Sequence, residues 1–489
     1  MALILLIFFS SFCISDFSIR HVKRRVPVRL VYSILLIPAF FTVIPGLLGI
    51  KIETWYNEGA VYNGFLTNFS AQILDEMRDK TPENYSSETI ARLENEYKNK
   101  NSADSDNMGA KSAVDAGRQP NIIVIMDESF ANLGVLGENF NTKEDITPFY
   151  DGLSENVIKG YALSSVFGGG TANSEYEFLT GNTMGYLSEG ATVYQLYLND
   201  YSFSMASNLK KNGYRCIATH PFSRKGWSRT KAWPYLGFEL ITFMEDYPQK
   251  DLVRDYISDR EAFEYIANLC EKKEDDRPCF IFSVTMQNHG GYDYTGSGRT
   301  PAIELENCKQ DYPDAEQYLG LIHETDTALQ WLVEYFRESN EDTVLCFFGD
   351  HLPNLNQDFY REIHGGNFET LAELELQQTV PFFVWVNYDI EEKEVLLTSL
   401  NYLSNYVYEA AGVELPVYNR FLLDMQESIP AINSKGYYSI SNGDFLSFDE
   451  ISEKASEEEK QALSRYEILE YNSLFDPDDR SDVFFGTNG

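Results

Sequence analysis

The pattern of hydrophobic and polar residues changes character near residue 119. From Pro120 onward, short apolar runs alternate with longer amphipathic stretches, as strands and helices do in an α/β sheet. The fold class predicted from this alternation is α/β, with a sheet flanked by helices. Five apolar runs are predicted to be buried strands: Asn121–Met126, Tyr214–Ala218, Cys279–Met286, Thr343–Phe348 and Val380–Val386.

Polar side chains that suit catalysis follow four of these runs. In chain order, the runs end in Asp127-Glu128-Ser129, Thr219-His220, Gln287-Asn288-His289 and Gly349-Asp350-His351. In open α/β sheets, ligands bind beyond the carboxyl ends of the strands. One such ending carries little information, but four of them favour a shared site at that edge of the sheet.

The first fifty residues are apolar enough to predict transmembrane segments. Ala2–Ile14 is short for a span, whereas Val26–Ile50 is long enough to cross a bilayer. Between them lies a basic stretch with Arg20, Lys23 and Arg24, which is typical of a cytoplasmic loop. We therefore expect the chain after residue 50 to be extracytoplasmic, and we expect the N-terminal segments to belong to a longer membrane domain.

Residues 51–118 join this membrane region to the predicted sheet. Thr54–Met77 carries aromatic residues at helical spacing, which predicts interfacial helices at the outer membrane surface. The polar stretch that follows is predicted to be a linker, with a helix around Glu88–Lys98. The catalytic domain is placed at residues 119–425.

An acidic C-terminal region is predicted at residues 426–489. Lys435–Phe448 is expected to add a strand or hairpin, and Glu450–Leu469 is expected to form an acidic amphipathic helix. We interpret Glu457-Glu458-Glu459 as a solvated face of that helix. This region is therefore assigned a structural or partner role without chemistry.

Charge and cysteine content narrow the functional classes. The chain has 489 residues and a formal net charge of −36, which does not favour nucleic acid but suits the attraction of divalent cations. Cys216, Cys279 and Cys346 fall in or beside predicted strands, so they are expected to be small buried hydrophobic residues. A Cys270–Cys308 bridge remains open at this point.

A glycine run precedes the most promising nucleophile. Gly168, Gly169 and Gly170 lead into Thr171, and a helix-like segment follows. Glycines allow close approach of the backbone to a ligand, and a helix N-terminus favours an anion such as phosphate. Taken alone, however, this stretch is more typical of a flexible glycine loop that ends in a helix-capping threonine.

The residue types at the strand ends specify a metal. Glu128, Asp350 and His351, together with the Thr171 oxygen, form an oxygen-rich set with one nitrogen, which suits Mn²⁺ or Mg²⁺. Metal coordination lowers the pKa of a hydroxyl and so activates a threonine. His220, Arg229 and His289 remain as donors for phosphate oxygens. His323 is expected to pack or cap a helix, and His364 is expected to lie outside the site.

Several ordered motifs make the chain resemble one known family. Asn121–Phe130, Gly168–Phe178, Trp227-Ser228-Arg229, Asn288-His289 and Phe348–His351 occur in the order found in lipoteichoic acid synthases. That family is the sulfatase-like branch of the alkaline phosphatase superfamily, and the resemblance covers about residues 50–425. It implies that Glu128, Thr171, Asp350 and His351 hold Mn²⁺, and that the substrate pocket contains His220, Trp227, Arg229 and His289. The family's membrane domain has five helices, whereas this sequence shows at most two candidate spans.

The resemblance also implies an activity. Members of the family take glycerol phosphate from phosphatidylglycerol, hold it on the threonine, and pass it to a hydroxyl acceptor on a glycan or glycerophosphate polymer. Phosphoethanolamine transfer or phosphodiester hydrolysis on the same core, and a catalytically silent envelope scaffold, are the alternatives. Sulfate ester hydrolysis is disfavoured because no cysteine lies in a Cys-x-Pro-x-Arg context.

Overall fold

The computed structural model describes residues 81–104, 119–248, 250–272, 275–296, 298 and 301–486. The predicted transmembrane segments, the predicted interfacial helices and the later part of the predicted linker lie outside these residues. Every helix and strand below belongs to one unit, formed by Thr81–Tyr186 and Thr192–Gly489. Within the described ranges, no helix combines the length and apolar character needed to cross a bilayer.

An eight-stranded sheet occupies the centre of this unit. Its strands are β1 (Asn121–Asp127), β2 (Val157–Leu163), β3 (Arg215–His220), β4 (Leu240–Phe243), β7 (Cys279–Val284), β8 (Thr343–Gly349), β9 (Thr379–Val386) and β10 (Lys393–Ser399). The spatial order is β10-β2-β9-β8-β1-β7-β3-β4. Among these strands only β9 runs antiparallel to its neighbours, so the other seven end at the same edge.

All five predicted strands are present, and three others were not predicted. The missed strands lack a continuous apolar run. Lys159 and Gly160 interrupt β2, β4 has four residues, and β10 is an edge strand with Leu396 86% exposed. Two short hairpins complete the β structure: β5 (Leu252–Val253) with β6 (Tyr256–Ile257), and β11 (Tyr437–Ser439) with β12 (Asp444–Leu446).

Helices flank the sheet. In chain order they are α1 (Ser87–Asp104), α2 (Pro148–Gly152), α3 (Thr171–Thr180), α4 (Val193–Leu196), α5 (Met205–Lys211), α6 (Arg229–Tyr235), α7 (Asp259–Glu271), α8 (Pro313–Arg337), α9 (Gln357–His364), α10 (Leu371–Leu376), α11 (Leu403–Ala411), α12 (Val417–Gln426), α13 (Ile451–Lys454), α14 (Glu457–Phe475) and α15 (Asp482–Phe485). Every residue of β1, β7 and β8 is buried, because helices such as α11 on β8 and α7 on β7 cover the sheet.

The C-terminal region shares a hydrophobic core with the first described helix. Ile90 and Tyr97 of α1 pack in one cluster with Phe421 of α12, Tyr466 of α14 and Phe484 of α15. The predicted helix near Glu88–Lys98 is therefore present as α1, and its apolar side is buried rather than solvated. The predicted hairpin in Lys435–Phe448 is confirmed as β11 and β12.

The prediction of a solvated face at Glu457-Glu458-Glu459 is wrong for Glu459. Ser456 caps α14 and breaks the predicted helix into α13 and α14. The Glu459 carboxylate is buried and accepts hydrogen bonds from the hydroxyls of Ser439 and Ser441, at 2.7 Å each. Burial raises the pKa of Glu459, but these bonds outweigh it and bring the pKa to about 2.

The cysteines behave as small hydrophobic residues. Cys216, Cys279 and Cys346 are buried in β3, β7 and β8, as predicted. The Cys270–Cys308 bridge is not formed, because Cys308 carries a free thiol.

We expect Gly349→Ala to destabilise the protein by about 3 kcal/mol, because a core that cannot relax resists added atoms. A Cβ at Gly349 would lie 1.9 Å from the Phe130 carbonyl oxygen. The control is Gly152→Ala, where a Cβ would meet no atom within 4 Å. Denaturant unfolding of the intact chain measures both, and a Gly349→Ala variant as stable as the control would show that this contact relaxes freely.

Candidate functional site

The register of β1 with β8 brings the first two site residues together. Asp127 pairs with Gly349, so Glu128 and Asp350 leave the sheet side by side at its carboxyl edge. The following residue, Ser129, has a left-handed backbone with φ 55°. That turn aims the Ser129 N–H at Asp350 Oδ1 (2.7 Å) and its hydroxyl at Glu128 Oε1 (3.1 Å).

His351 completes a set of three potential ligands. Single ligand atoms of Glu128, Asp350 and His351 all lie within 4.8 Å of one another, and all three residues are buried. His351 Nδ1 donates to the Leu352 carbonyl oxygen at 2.9 Å, so Nε2 is the ring nitrogen that faces the carboxylates. His351 Nε2 lies 3.2 Å from Asp350 Oδ2 and 3.8 Å from Glu128 Oε1.

These three residues fit a divalent cation. In the described part of the chain, Asp350 Oδ2 and His351 Nε2 are buried without a hydrogen-bond partner, although they face each other. Unpaired buried polar atoms are costly, and a cation between them removes that cost. Two carboxylates with one imidazole are a donor set for a hard or borderline ion such as Mn²⁺ or Mg²⁺.

The electrostatics of the cluster agree with this reading. Burial raises the pKa of Asp350 to about 7, and the neighbouring Glu128 charge adds to the rise while His351 opposes it. Burial lowers the pKa of His351, but the charges of Asp350 and Glu128 outweigh it and leave that pKa raised. Two carboxylates therefore lie close together in a buried site, where a cation would neutralise their charge.

A hydrogen-bond network behind the cluster fixes its orientation. The hydroxyl of Thr285 donates to Asp127 Oδ2 at 3.0 Å and accepts from the Glu128 N–H at 3.0 Å. The Asn288 amide donates to Asp127 Oδ1 at 2.9 Å. The backbone on which Glu128 stands is therefore held by β1 and by the end of β7 together.

Thr171 reaches the cluster through its helix. The three glycines before it have positive φ values of 67°, 152° and 94°, and the Gly168 N–H donates to the Leu352 carbonyl oxygen at 3.0 Å. Thr171 is the first residue of α3, whose ten residues are all buried. Its hydroxyl donates to Glu128 Oε2 at 3.4 Å, so the predicted nucleophile and metal ligands are brought together.

Arg229 is tied to the same helix. Its Nε and Nη2 both donate to Glu175 Oε1, at 2.8 and 2.6 Å, and Trp233 Nε1 donates to Glu175 Oε2 at 3.0 Å. Glu175 lies one helical turn after Thr171, on the same side of α3. Since this edge of the guanidinium is engaged, a phosphate contact by Arg229 would use Nη1.

His220 is held as a neutral imidazole. Its Nδ1 donates to the Val284 carbonyl oxygen at 3.0 Å, which leaves Nε2 unprotonated. Burial lowers the pKa of His220 well below its usual value, and the charges of Arg229 and His289 lower it further. Nε2 is therefore available as a hydrogen-bond acceptor, whereas a donor was predicted at this position.

His289 has the opposite arrangement and is exposed. The Tyr256 hydroxyl lies 3.3 Å from His289 Nδ1, and a bond donated there leaves Nε2–H as a donor. Arg254, in a left-handed turn with φ 54°, donates to the carbonyl oxygens of Gln287 (2.7 Å) and His289 (2.8 Å). Burial raises the pKa of Tyr256, the charge of Arg254 opposes the rise, and the charge of Glu128 adds to it.

The remaining predicted residues lie as follows. Trp227 is half-buried and precedes Arg229 in a left-handed backbone with φ 53°. His323 Nδ1 bonds to the Ile146 carbonyl oxygen at 3.0 Å, in keeping with its expected structural role. His364 Nδ1 bonds to the Leu136 carbonyl oxygen at 2.8 Å and the ring stacks on Phe368, so its contacts are structural as well.

Sequence reasoning missed four residues of the site: Ser129, Glu175, Arg254 and Tyr256. Glu175 had a detectable signal, since an acid in a helix that otherwise reads as buried requires a cationic partner. Arg254 and Tyr256 come from a two-residue hairpin whose position relative to His289 depends on the tertiary fold. No local sequence pattern predicts the contacts of Arg254 and Tyr256 with His289.

The sheet and the residues at its strand ends match a known protein family. The family model described as Sulfatase matches residues 120–413, which span the whole sheet and its strand-end residues. The chain belongs to the sulfatase family. The predicted membership of the sulfatase-like branch is thereby confirmed.

Two curated relatives of this sulfatase-family chain come from Rhizobium meliloti (strain 1021). A putative cyclic beta-1,2-glucan modification protein is 30% identical over 314 residues, covering 62% of this chain and 47% of that protein. The capsular polysaccharide biosynthesis protein RkpI is 28% identical over 241 residues, covering 48% of this chain and 42% of that protein. The chain thus spans about half the length of the curated relatives it matches.

Solved structures share the fold. The phosphoglycerol transferase GacH of Streptococcus pyogenes, in complex with sn-glycerol-1-phosphate, superposes with a TM-score of 0.66 at 21% identity, covering 83% of this chain and 99% of that chain. The lipoteichoic acid synthase LtaP of Listeria monocytogenes superposes with a TM-score of 0.53 at 19% identity, covering 73% and 92%.

We expect Asp350→Asn to weaken Mn²⁺ binding by at least about 100-fold, since losing outer-shell partners alone costs about 10–100-fold. Asparagine keeps an acceptor for the Ser129 N–H and so preserves the turn, but it lacks the ligand charge. Elemental analysis after equilibration with Mn²⁺ measures the loss. Asp358→Asn, at an exposed position on α9, is the matched control. An Asp350→Asn protein that keeps wild-type Mn²⁺ would remove Asp350 from the ligand set.

Proposed function

We propose that this protein is a metal-dependent phosphoglycerol transferase that acts through a covalent Thr171 intermediate. The observation that carries the proposal is the position of Thr171, the first residue of a buried helix. Its hydroxyl oxygen lies 3.4 Å from Glu128 Oε2, in the cluster formed by Glu128, Asp350 and His351. A silent scaffold has no need to keep a buried, unpaired ligand set beside a nucleophile. The intact cluster therefore favours an enzyme.

The residues suggest how the transfer proceeds. In the first half of the reaction, Thr171 Oγ1 attacks the phosphorus of the donor lipid, phosphatidylglycerol. The bond from phosphorus to the diacylglycerol oxygen breaks, and the Thr171 proton passes to the departing oxygen. In the second half, an acceptor hydroxyl attacks the same phosphorus, Thr171 Oγ1 leaves, and the acceptor's proton returns to it. A bound Mn²⁺ or Mg²⁺ would lower the hydroxyl pKa and offset charge on the phosphate oxygens.

The second group of residues supplies complementary hydrogen bonds. His220 Nε2 is an acceptor at neutral pH and suits the hydroxyl group of an incoming acceptor or of the glycerol. His289 Nε2–H and Arg229 Nη1 are donors and suit phosphate oxygens. Trp227 is proposed as the wall against which the glycerol lies.

The names of similar proteins support the choice of donor and acceptor. GacH is a phosphoglycerol transferase that binds sn-glycerol-1-phosphate, and LtaP is a lipoteichoic acid synthase. The Rhizobium relative is named for modification of a glucan. We therefore propose phosphatidylglycerol as the donor and a cell-envelope glycan or polyglycerolphosphate as the acceptor. Because phosphatidylglycerol is a membrane lipid, we also propose that the catalytic domain is anchored at the membrane on its extracytoplasmic side.

Incubation with phosphatidylglycerol alone should leave glycerol phosphate on Thr171, because no acceptor is present to remove it. Peptide mass spectrometry of the Thr171 peptide detects the adduct, and diacylglycerol release should show a matching burst. Thr171→Ala should lose both, whereas Thr171→Ser keeps a hydroxyl and should retain weak turnover. Thr327→Ala, at an exposed position on α8, is the matched control.

Two results would change this proposal. A phosphoethanolamine adduct, formed when phosphatidylethanolamine is the donor, would favour the alternative transferase on the same core. Wild-type lipid turnover by Thr171→Ala would exclude Thr171 as the nucleophile.

The location is tested by labelling. We expect a cysteine at Glu453, which is exposed, to react with a membrane-impermeant maleimide on intact cells if the catalytic domain is extracytoplasmic. The background is Cys308→Ser, because Cys308 is half-buried and carries a free thiol. Labelling only after lysis would place the domain on the other side, away from an envelope acceptor.

A further inference from the structure

The C-terminal region contacts the chain just before the glycine run. The Ser434 N–H donates to the Ser165 hydroxyl at 2.9 Å, and the Ser434 hydroxyl donates to the Ser165 carbonyl oxygen at 2.7 Å. The Asn433 amide donates to the Ser164 carbonyl oxygen at 3.2 Å and to Glu375 Oε2 at 2.6 Å. Residues almost 270 positions later thus hold the strand end from which the glycine run departs.

The same region also contacts the chain just after the Thr171 helix. The Tyr466 hydroxyl donates to the Gly181 carbonyl oxygen at 2.8 Å, and the Thr183 N–H donates to Glu470 Oε2 at 3.0 Å. Both donors and acceptors are buried, and the Asn401 amide donates to the Tyr466 hydroxyl at 2.9 Å. Tyr466 and Glu470 lie one turn apart on α14, so a single helix face makes both bonds.

Glu177 joins the two ends. Its Oε1 accepts from the Ser165 hydroxyl at 2.6 Å, which lies before the helix, and from the Met184 N–H at 2.9 Å, which lies after it. In the described part of the chain, Glu177 Oε2 and Glu470 Oε1 are buried without a partner. Burial raises the pKa of Glu177 to about 7 and raises that of Glu470, where Glu177 adds to the effect. Burial therefore disfavours the charged form of both carboxyl groups.

Such anchoring has a mechanical reason. Thr171 follows three glycines with positive φ, and glycines do not fix the direction of a chain on their own. A nucleophile must nonetheless stay within about 0.5 Å of its productive position. Besides the Glu175 contacts in its middle, α3 is bonded at its far end, and the strand before the glycines is bonded as well. Both of these places contact residues 433–470.

We propose that the C-terminal region is a positioning element for the nucleophile, with Ser434, Tyr466 and Glu470 as its positioning residues. This inference rests on the proposed function in so far as Thr171 is the nucleophile of that reaction. It differs from the prediction that residues 426–489 have a structural or partner role without chemistry.

Tyr466→Phe tests the bond to Gly181. It removes one hydroxyl and leaves the ring in the core, so the protein should fold. We expect kcat to fall about tenfold, which corresponds to about 1.4 kcal/mol, while KM stays within about twofold. Mn²⁺ content should not change. Tyr471→Phe is the matched control on the same helix, because its hydroxyl bonds to Thr81 instead.

Glu470 is tested by a pair of variants. Glu470→Leu removes the acceptor of the Thr183 N–H and should lower kcat about as much as Tyr466→Phe. Glu470→Gln keeps an amide oxygen as acceptor and should restore most of the rate. Ser434→Ala, on the opposite side of the glycine run, provides an independent variant. Rescue by glutamine separates positioning from loss of packing, which leucine largely preserves.

Amide hydrogen exchange separates this inference from the proposed function. In Tyr466→Phe, amides of Thr171–Met184 should exchange faster than in the wild type, while those of β1 and β8 should not change. That readout needs no turnover, so it stands even if the wild-type protein fails to release diacylglycerol. Unchanged exchange together with unchanged kcat in Tyr466→Phe would overturn the inference. A fall in kcat of Tyr471→Phe as large as that of Tyr466→Phe would also overturn the inference.

Discussion

Pairing between β1 and β8 is the constraint on which the site depends. The parallel register sets Asp127 against Gly349, and the next residues of both strands carry the carboxylates that meet at the edge. Close approach of the Phe130 carbonyl to Gly349 leaves no room for a side chain. A slip of one residue would turn Glu128 and Asp350 to opposite sides of the sheet, since side chains alternate along a strand.

The β1–β8 register buries the carboxylates of Glu128 and Asp350 close to each other, and their repulsion has to be offset by the groups around them. The Glu128 and Asp350 side chains are 6% and 0% exposed, so their mutual repulsion is weakly screened by water. The protein offsets part of it with the Ser129 N–H, the Ser129 hydroxyl and the imidazole of His351. The remaining unpaired atoms point to a bound cation as part of the folded state rather than a late addition.

How much of the fold and of the site could be predicted depends on how far apart in the sequence the interacting residues lie. Strands β1, β7 and β8 are continuous apolar runs, and each is followed by polar residues. This pattern allows Glu128, Asp350 and His351 to be predicted from the sequence. Glu459 was misjudged because three consecutive acids in a helix are usually solvated, and its serine partners lie on a hairpin. The neutral state of His220 follows from its burial and from the charge of Arg229, and no local sequence pattern reveals either.

The bonds between α14 and the end of α3 have a consequence for biosynthesis. Tyr466 and Gly181 are 285 residues apart in the chain, and Glu470 and Thr183 are separated by 287. A ribosome delivers the strands of the sheet long before it delivers α14, and such distant contacts form late because closing long loops costs entropy. The nascent protein can therefore bring Glu128, Asp350 and His351 together first, and the Thr171 helix gains its contacts with Tyr466 and Glu470 only after α14 has been synthesised.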